Sequence, residues 1–257
     1  MKALFIFLLA LVACENEGPS WAQKICDARR EVAPMEKGLL TKITEQYNIE
    51  QKGVWPKWAA SCAEHREVFE QAEYYTMYPA AFIAGFAMHE SAGCKMSAKD
   101  WAGGRGWMQI THISPSRHIN PIATMLGIEP SEVDYRSDPL HNVLVGVMVL
   151  DDYERSFMSR PHGIQAYNMG PGGVRKAMAK LGWRRGKSLP TILDMKPHLR
   201  YDKRMKPRVY VQKIAAAVIM MDKVLNGEPI ERKEKGTFSK SDIPGWDPAD
   251  DGDRFCG

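Results

Sequence analysis

The residues best equipped for chemistry lie between Phe86 and Gln109, with a second group at Tyr167-Asn168. Glu90 follows Pro79-Ala-Ala-Phe-Ile-Ala-Gly-Phe-Ala-Met-His, an apolar segment with proline near its start and Gly93 just beyond the acid. That pattern predicts a helix ending at the carboxyl. Phe82, Phe86 and Glu90 recur every four residues and share a face, which aims the carboxyl at the side the phenylalanines bury. Desolvation and the negative end of the helix dipole both disfavour the anion, so Glu90 is expected to hold its proton to higher pH than a surface glutamate. A general acid needs that property. His89-Glu90 does not make a zinc-protease helix, because Gly93 stands where the second histidine is required and Cys94 has no Cys-x-x-Cys partner. Neither a metal nor an organic cofactor is expected.

Gly103-Gly-Arg-Gly106 is poor helix and predicts a tight turn beside a ligand, since glycine permits positive φ and close backbone approach. Trp107-Met108-Gln109-Ile110 then supplies an apolar body with one amide, suited to a sugar that stacks while one polar group is held. Core packing is the plainer use of Trp107 and Met108, whereas Gln109 in an apolar run needs a polar partner. Tyr167-Asn168 precedes Met-Gly-Pro-Gly-Gly173, again a polar pair set at a turn.

Four motifs stand in order: Glu90-Ser91, Gly106-Trp-Met-Gln109, Ala166-Tyr-Asn-Met-Gly-Pro-Gly172 and Tyr210-Val211. Asp138-Pro-Leu-His-Asn142 opens a helical stretch between the second and third. Together they resemble the soluble lytic transglycosylase family, with its goose-type-lysozyme-like catalytic domain, over roughly residues 76–225. The resemblance implies a mainly α, lysozyme-like domain that cleaves the β-1,4 bond between N-acetylmuramic acid and N-acetylglucosamine in peptidoglycan and leaves 1,6-anhydromuramyl ends. It implies Glu90 as the single catalytic acid and base, with Gln109, Tyr167, Asn168 and Tyr210 positioning the sugars and Ser91 and Met108 supporting the groove wall. Two departures stand out. Met169 replaces the family's alanine after Tyr-Asn, and Asp100 stands where the family often has serine. Asp100 is a candidate second carboxylate for a hydrolysing muramidase, which needs a carboxyl separation of about 6.5 to 9.5 Å; the simpler reading is that it closes the turn before Trp101.

At 257 residues the chain can bury a substantial core. The reading divides it into a signal peptide over 1–13, a helical N-terminal extension over 14–75, the catalytic domain over 76–225 and a polar C-terminal tail over 226–257. Lys2 and the apolar run to Val12 make a leader too short to span a bilayer. Leu11-Val-Ala-Cys14 resembles the bacterial lipobox, which implies lipidation of Cys14, a periplasmic address and a membrane anchor in the inner or outer membrane. Cys26, Cys62, Cys94 and Cys256 then form an even set in an exported chain, as expected for two disulfides. Three pairings are open, and Cys26 with Cys62 and Cys94 with Cys256 is the preferred one.

The net charge of +4 is uneven: Arg175 to Lys213 carries thirteen lysines and arginines against Asp194 and Asp202. Such a stripe attracts polyanions, for a wall enzyme lactyl and peptide-stem carboxylates, and a solvated basic face is the plainer use. No nucleic-acid reader motif is present, so nucleic acid is not an expected partner. Residues 21–75 predict about three helices, with a break at Trp55-Pro56, and 113–137 and 184–208 predict irregular, proline-marked inserts. The last helix is predicted over about 207–225, and the polar stretch beyond it is expected to be tied down only through Cys256. A rival of another class is an inactive peptidoglycan-binding lipoprotein that scaffolds cell-wall or secretion machinery.

Overall fold

A helix that is apolar on every side must be enclosed by other elements, and this chain has such a segment ending at Glu90. The computed structural model describes residues 37–98, 103–184, 187–199, 207–234 and 236–246. Its helices are α1 (Lys37–Glu50), α2 (Trp55–Ala63), α3 (Arg66–Thr76), α4 (Ala80–Ser91), α5 (Asn120–Leu126), α6 (Pro139–Phe157), α7 (Arg160–Met169), α8 (Pro171–Lys180), α9 (Ile192–Met195) and α10 (Tyr210–Leu225). Among the described residues there is no strand, only a bridge between Arg105 and Ile110.

The centre is α4 against α10. Every residue of α4 from Ala81 to Met88 is buried, and Val211, Ile214, Ala215 and Val218 form the buried stripe of α10. Gly85 allows the two backbones to touch, since a Cβ there would stand 2.5 Å from the Val218 nitrogen. Around this pair, α1, α2 and α7 pack on α10, while α2 and α3 pack on α4. Next to them α6 lies against α3 and α7, and α8 continues from α7.

The helix ends follow local chemistry. Pro79 precedes α4, and Ala92 in the left-handed region (φ 53°) ends it, with Gly93 (φ 100°) next. Asp138 caps α6 by accepting from the His141 N–H at 2.8 Å, with Pro139 in the first turn. The expected irregular insert at 113–137 contains more structure than its prolines suggested. A π-type turn at Pro115–Ile119, α5, and a 3₁₀ turn at Pro130–Glu132 each have proline in the first turn, where a missing N–H does no harm.

Two expectations are corrected. The disulfide joins Cys62 to Cys94 rather than to Cys26. At this point the N-terminal helices pack on the core: α2 lies on α4, the Ser61 hydroxyl donates to the Gly93 carbonyl at 3.1 Å, and the two sulfurs meet. Cys14, Cys26, Asp100 and Cys256 lie outside the described residues, as do the leader 1–13 and the end of the chain.

The second correction concerns the C-terminal stretch, which is fastened by packing. Asn48 clasps the Lys233 backbone from both sides, at 3.2 and 2.9 Å, and the Phe238 N–H donates to Thr44 Oγ1 at 3.0 Å. The Phe238 ring meets Tyr47 edge-on at 5.0 Å, and Ile243 and Trp246 are buried. Three apolar side chains in a polar segment suffice to bind it across the helices. Among the described residues, no helix is long and apolar enough to cross a membrane.

Candidate active site

Glu90 sits in the last turn of α4, opposite the first residue of α10. There the Tyr210 hydroxyl donates to Glu90 Oε1. This contact joins residues 120 apart in sequence and depends on the close approach of the two helices at Gly85. Tyr167 of α7 completes the aromatic wall, its ring 4.9 Å from Phe86 and edge-on to it. Tyr210 lies 6.4 Å from the same phenylalanine. Burial first, and the Glu90 charge second, push the Tyr167 and Tyr210 phenols well above the usual tyrosine range. Both therefore remain protonated donors at any working pH.

Behind the acid stands an aromatic support. The His89 ring lies 5.5 Å from both Trp55 and Tyr210. Burial, reinforced by the Lys213 charge, lowers its pKa to about 3, so the ring is neutral near pH 7. Lys213 stands over Trp55 at 5.7 Å and pairs with Glu50 at 3.1 Å.

The glycine-rich turn forms the facing edge. Gly106 takes φ 71°, and its hydrogen faces the Asn142 amide so closely that a Cβ would stand 2.3 Å from Nδ2. Asn142, buried in α6, accepts from the Met108 N–H at 2.9 Å and donates to the carbonyls of Arg105 at 3.1 Å and Tyr135 at 2.7 Å. One amide thus shapes the turn that carries Met108 and Gln109.

The sequence-derived site residues have distinct places. Trp107 and Met108 are core side chains; Trp107 packs on His65 and Phe69, and Met108 fills the space left by Gly146. Met108 reaches the site through its carbonyl, which accepts from the Tyr167 hydroxyl at 2.8 Å. Gln109, at φ 46°, spends its amide N–H groups on the carbonyls of Ala98 at 3.0 Å and Gly106 at 2.7 Å, which ties the two ends of the loop together. Ser91 donates to the Ala87 carbonyl at 2.7 Å within α4. The Asn168 amide oxygen is buried without a hydrogen-bond partner, beside Tyr167. It is an acceptor held ready for a donor.

Sequence reasoning passed over two contributors, Asn142 and the His89–Trp55 support. Asn142 had a signal, since a buried amide one turn into an apolar helix requires partners. It also passed over Glu154, buried with Arg160 at 3.1 Å and accepting from Tyr78 at 3.1 Å, a pair that joins α6 to α7 beneath Phe82. Burial raises the Glu154 pKa despite Arg160. Among the described residues, no group of three His, Cys, Asp or Glu side chains is placed to hold a metal.

Residues 67–189 match the family model of the Transglycosylase SLT domain. Just under half of the chain is thus similar to the transglycosylase SLT domain. Glu90, the Gly106 turn and Tyr167 all fall within the SLT match, while Tyr210 and the helix that carries it lie beyond it. Two solved structures are similar over part of their length. The lytic transglycosylase Slt of Pseudomonas aeruginosa, an inactive mutant, is 20% identical with a TM-score of 0.49, covering 68% of this chain and 27% of that one. The 70 kDa soluble lytic transglycosylase of Escherichia coli is 22% identical with a TM-score of 0.45, covering 67% and 26%. The chain therefore spans about a quarter of the length of these proteins. A search of curated proteins found no match. The SLT match and the helical core agree with the mainly α, lysozyme-like class read from the motifs.

Proposed function

We propose that this protein is a peptidoglycan lytic transglycosylase in which Glu90 is both acid and base. The observation that carries the reading is a carboxyl at the end of a buried helix, held at Oε1 by the Tyr210 hydroxyl and faced by Tyr167 within an SLT domain. Glu90 in its acid form protonates the glycosidic oxygen, and the bond from that oxygen to C1 of the muramyl sugar breaks. The muramyl C6 hydroxyl then attacks C1 and loses its proton to the Glu90 carboxylate. The ring closes as a 1,6-anhydro end and no water is consumed. Most glycosidases need a second carboxylate to activate water or form a covalent intermediate, but an internal hydroxyl removes that need.

Tyr210 fixes the orientation of the carboxyl through its bond to Oε1. Tyr167 and the partnerless Asn168 carbonyl supply the polar groups that orient the sugars, the latter suited to an acetamido N–H. Gln109 and Asn142 act one step back, holding the turn that forms the facing wall. The chain is further proposed to be exported and anchored by a lipid on Cys14, and a Cys14→Ala variant that stays in the membrane fraction and still takes up labelled palmitate would refute this.

The test is mass spectrometry of sacculi digested with the protein beginning after Cys14, alongside Glu90→Gln. Anhydromuramyl products that disappear with the variant are expected. Products heavier by one water, with reducing muramic acid ends, would instead indicate a hydrolase and bring Asp100 into consideration. Protein that pellets with sacculi and releases nothing would indicate a binding lipoprotein.

A further inference from the structure

One surface helix presents charge of a single sign. Between Glu154 and Asp194 the chain holds eight lysines and arginines and no acid. In the middle of that stretch lies α8, which buries Val174, Ala177 and Met178 against the molecule. By helical spacing its outer face carries Arg175, Lys176, Ala179 and Lys180, all exposed. Arg184 and Lys187, also exposed, extend the charge past the helix end, where the Trp183 indole N–H donates to the Lys187 carbonyl at 3.0 Å and folds the loop back on itself. Among the described residues, no carboxylate pairs with any of these five cations.

Apolar side chains that the core leaves uncovered flank this row. The buried line of Val174, Ala177 and Met178 runs out at Leu181, the first residue past the helix, which is 38% exposed. On the other flank the Arg175 guanidinium lies over the Phe157 ring at 5.2 Å, and the next residue, Met158, is 41% exposed. Two of the five large apolar side chains that the described residues expose therefore border one cationic row. A dissolved polyanion gains from the charges alone. A bilayer surface gains from both, because its phosphates meet the ammonium and guanidinium groups while the apolar flanks enter the boundary between headgroups and acyl chains.

We propose that the outer face of α8 docks on an anionic phospholipid surface. Lys176, Lys180 and Arg184 meet the headgroup phosphates, and Met158 and Leu181 enter the acyl boundary. The contact depends neither on the chemistry at Glu90 nor on a lipid at Cys14. Its consequence is orientation: one anchored segment leaves a body free to turn, whereas a second attachment through a rigid helix fixes it. Only Gly170 separates α8 from α7, so docking holds the Tyr167–Asn168 edge of the groove close to the bilayer.

The test is co-sedimentation of the protein beginning after Cys14 with vesicles of phosphatidylcholine and phosphatidylglycerol in equal parts, and with vesicles of phosphatidylcholine alone. Binding to the anionic vesicles only is expected, and it should weaken as salt is raised. Each cation removed near such a surface lowers affinity about fivefold, so Lys176→Ala/Lys180→Ala should bind about 25-fold more weakly. Lys52→Ala/Lys57→Ala removes the same charge from the exposed turn before α2 and from α2 itself, and should bind as wild type does. Leu181→Asn should weaken binding without changing its salt dependence. A Lys176→Ala/Lys180→Ala protein that melts like wild type and binds the anionic vesicles equally well overturns the proposal, as does wild-type protein that stays in the supernatant. An equal loss in both double variants would assign the effect to net charge and overturn the docking face. Soluble inorganic polyphosphate that displaces the vesicles, with Leu181→Asn without effect, would make the face a site for dissolved polyanions and overturn the lipid contact.

Discussion

Tyr210 donates its hydroxyl to Glu90, the carboxyl proposed to move the proton, and has the neutral His89 ring at its back. Tyr210→Phe removes a charge-assisted hydrogen bond and keeps the ring packing, so kcat on sacculi is expected to fall about 10- to 100-fold with KM little altered. An unchanged kcat would mean that Tyr210 has no part in setting the carboxyl. His89 makes a separate prediction in pH. Its folded pKa, about 3, lies below its unfolded value of 6.5, so between those values the unfolded chain binds more protons. Its stabilising contribution is complete above pH 6.5 and is lost as pH falls toward 3. His162, lowered to about 4 by burial, acts in the same direction. His89→Phe keeps an aromatic ring between Trp55 and Tyr210 without the titration. Its melting temperature should fall less steeply than that of wild type between pH 6.5 and 4, and parallel curves would refute the assignment. At this scale Glu90 was legible because an ionisable residue at the end of an apolar helix conflicts with its surroundings. Asn142 was legible only as an amide in need of partners, since two of the three backbone groups it holds lie 34 and 37 residues away.

The relation between α4 and α10 is the feature on which the site depends. Gly85→Ala places a methyl group 2.5 Å from the α10 backbone, and backbone cannot turn aside as a side chain can. The helices must separate, at an expected cost of about 2 to 3 kcal/mol, and the Glu90–Tyr210 contact should loosen with them. Urea unfolding and turnover should therefore decline together, and a variant with wild-type stability would contradict this packing. The course of α4 was readable from Pro79, the apolar run and Gly93, all within fifteen residues. The insert at 113–137 was read as irregular because its prolines suggested breaks. Each proline instead opens a short helical turn, a distinction that needs the hydrogen bonds of the turn itself.

Across the whole molecule, chain segments remote in sequence hold the site in place. The Cys62–Cys94 bridge ties α2 to the loop that follows the acid, and replacing both cysteines with serine should lower stability by about 3 to 4 kcal/mol. Peptide mapping under non-reducing conditions should recover Cys62 and Cys94 in one linked fragment; linkage of Cys62 to Cys26 would overturn that pairing. Ending the chain at Gly227 removes Phe238, Ile243 and Trp246 from the faces of α1 and α4. The expected loss is on the order of 5 kcal/mol, measured as a lower urea midpoint, whereas a merely solvated tail would leave the midpoint in place.

What the sequence determined by itself was local: helix type and ends, the glycine turns, the acid and the four motifs around it. Periodicity, capping and breaker residues act over one or two turns of chain, so their consequences can be read without knowing the fold. What the tertiary structure decided was which distant groups meet. Tyr210 on Glu90, Cys62 with Cys94, Phe238 on Tyr47 and Arg117 above Asp152 each depend on how helices pack in three dimensions. Burial and charge at a site are sums over such neighbours, and the order of residues along the chain does not contain those sums.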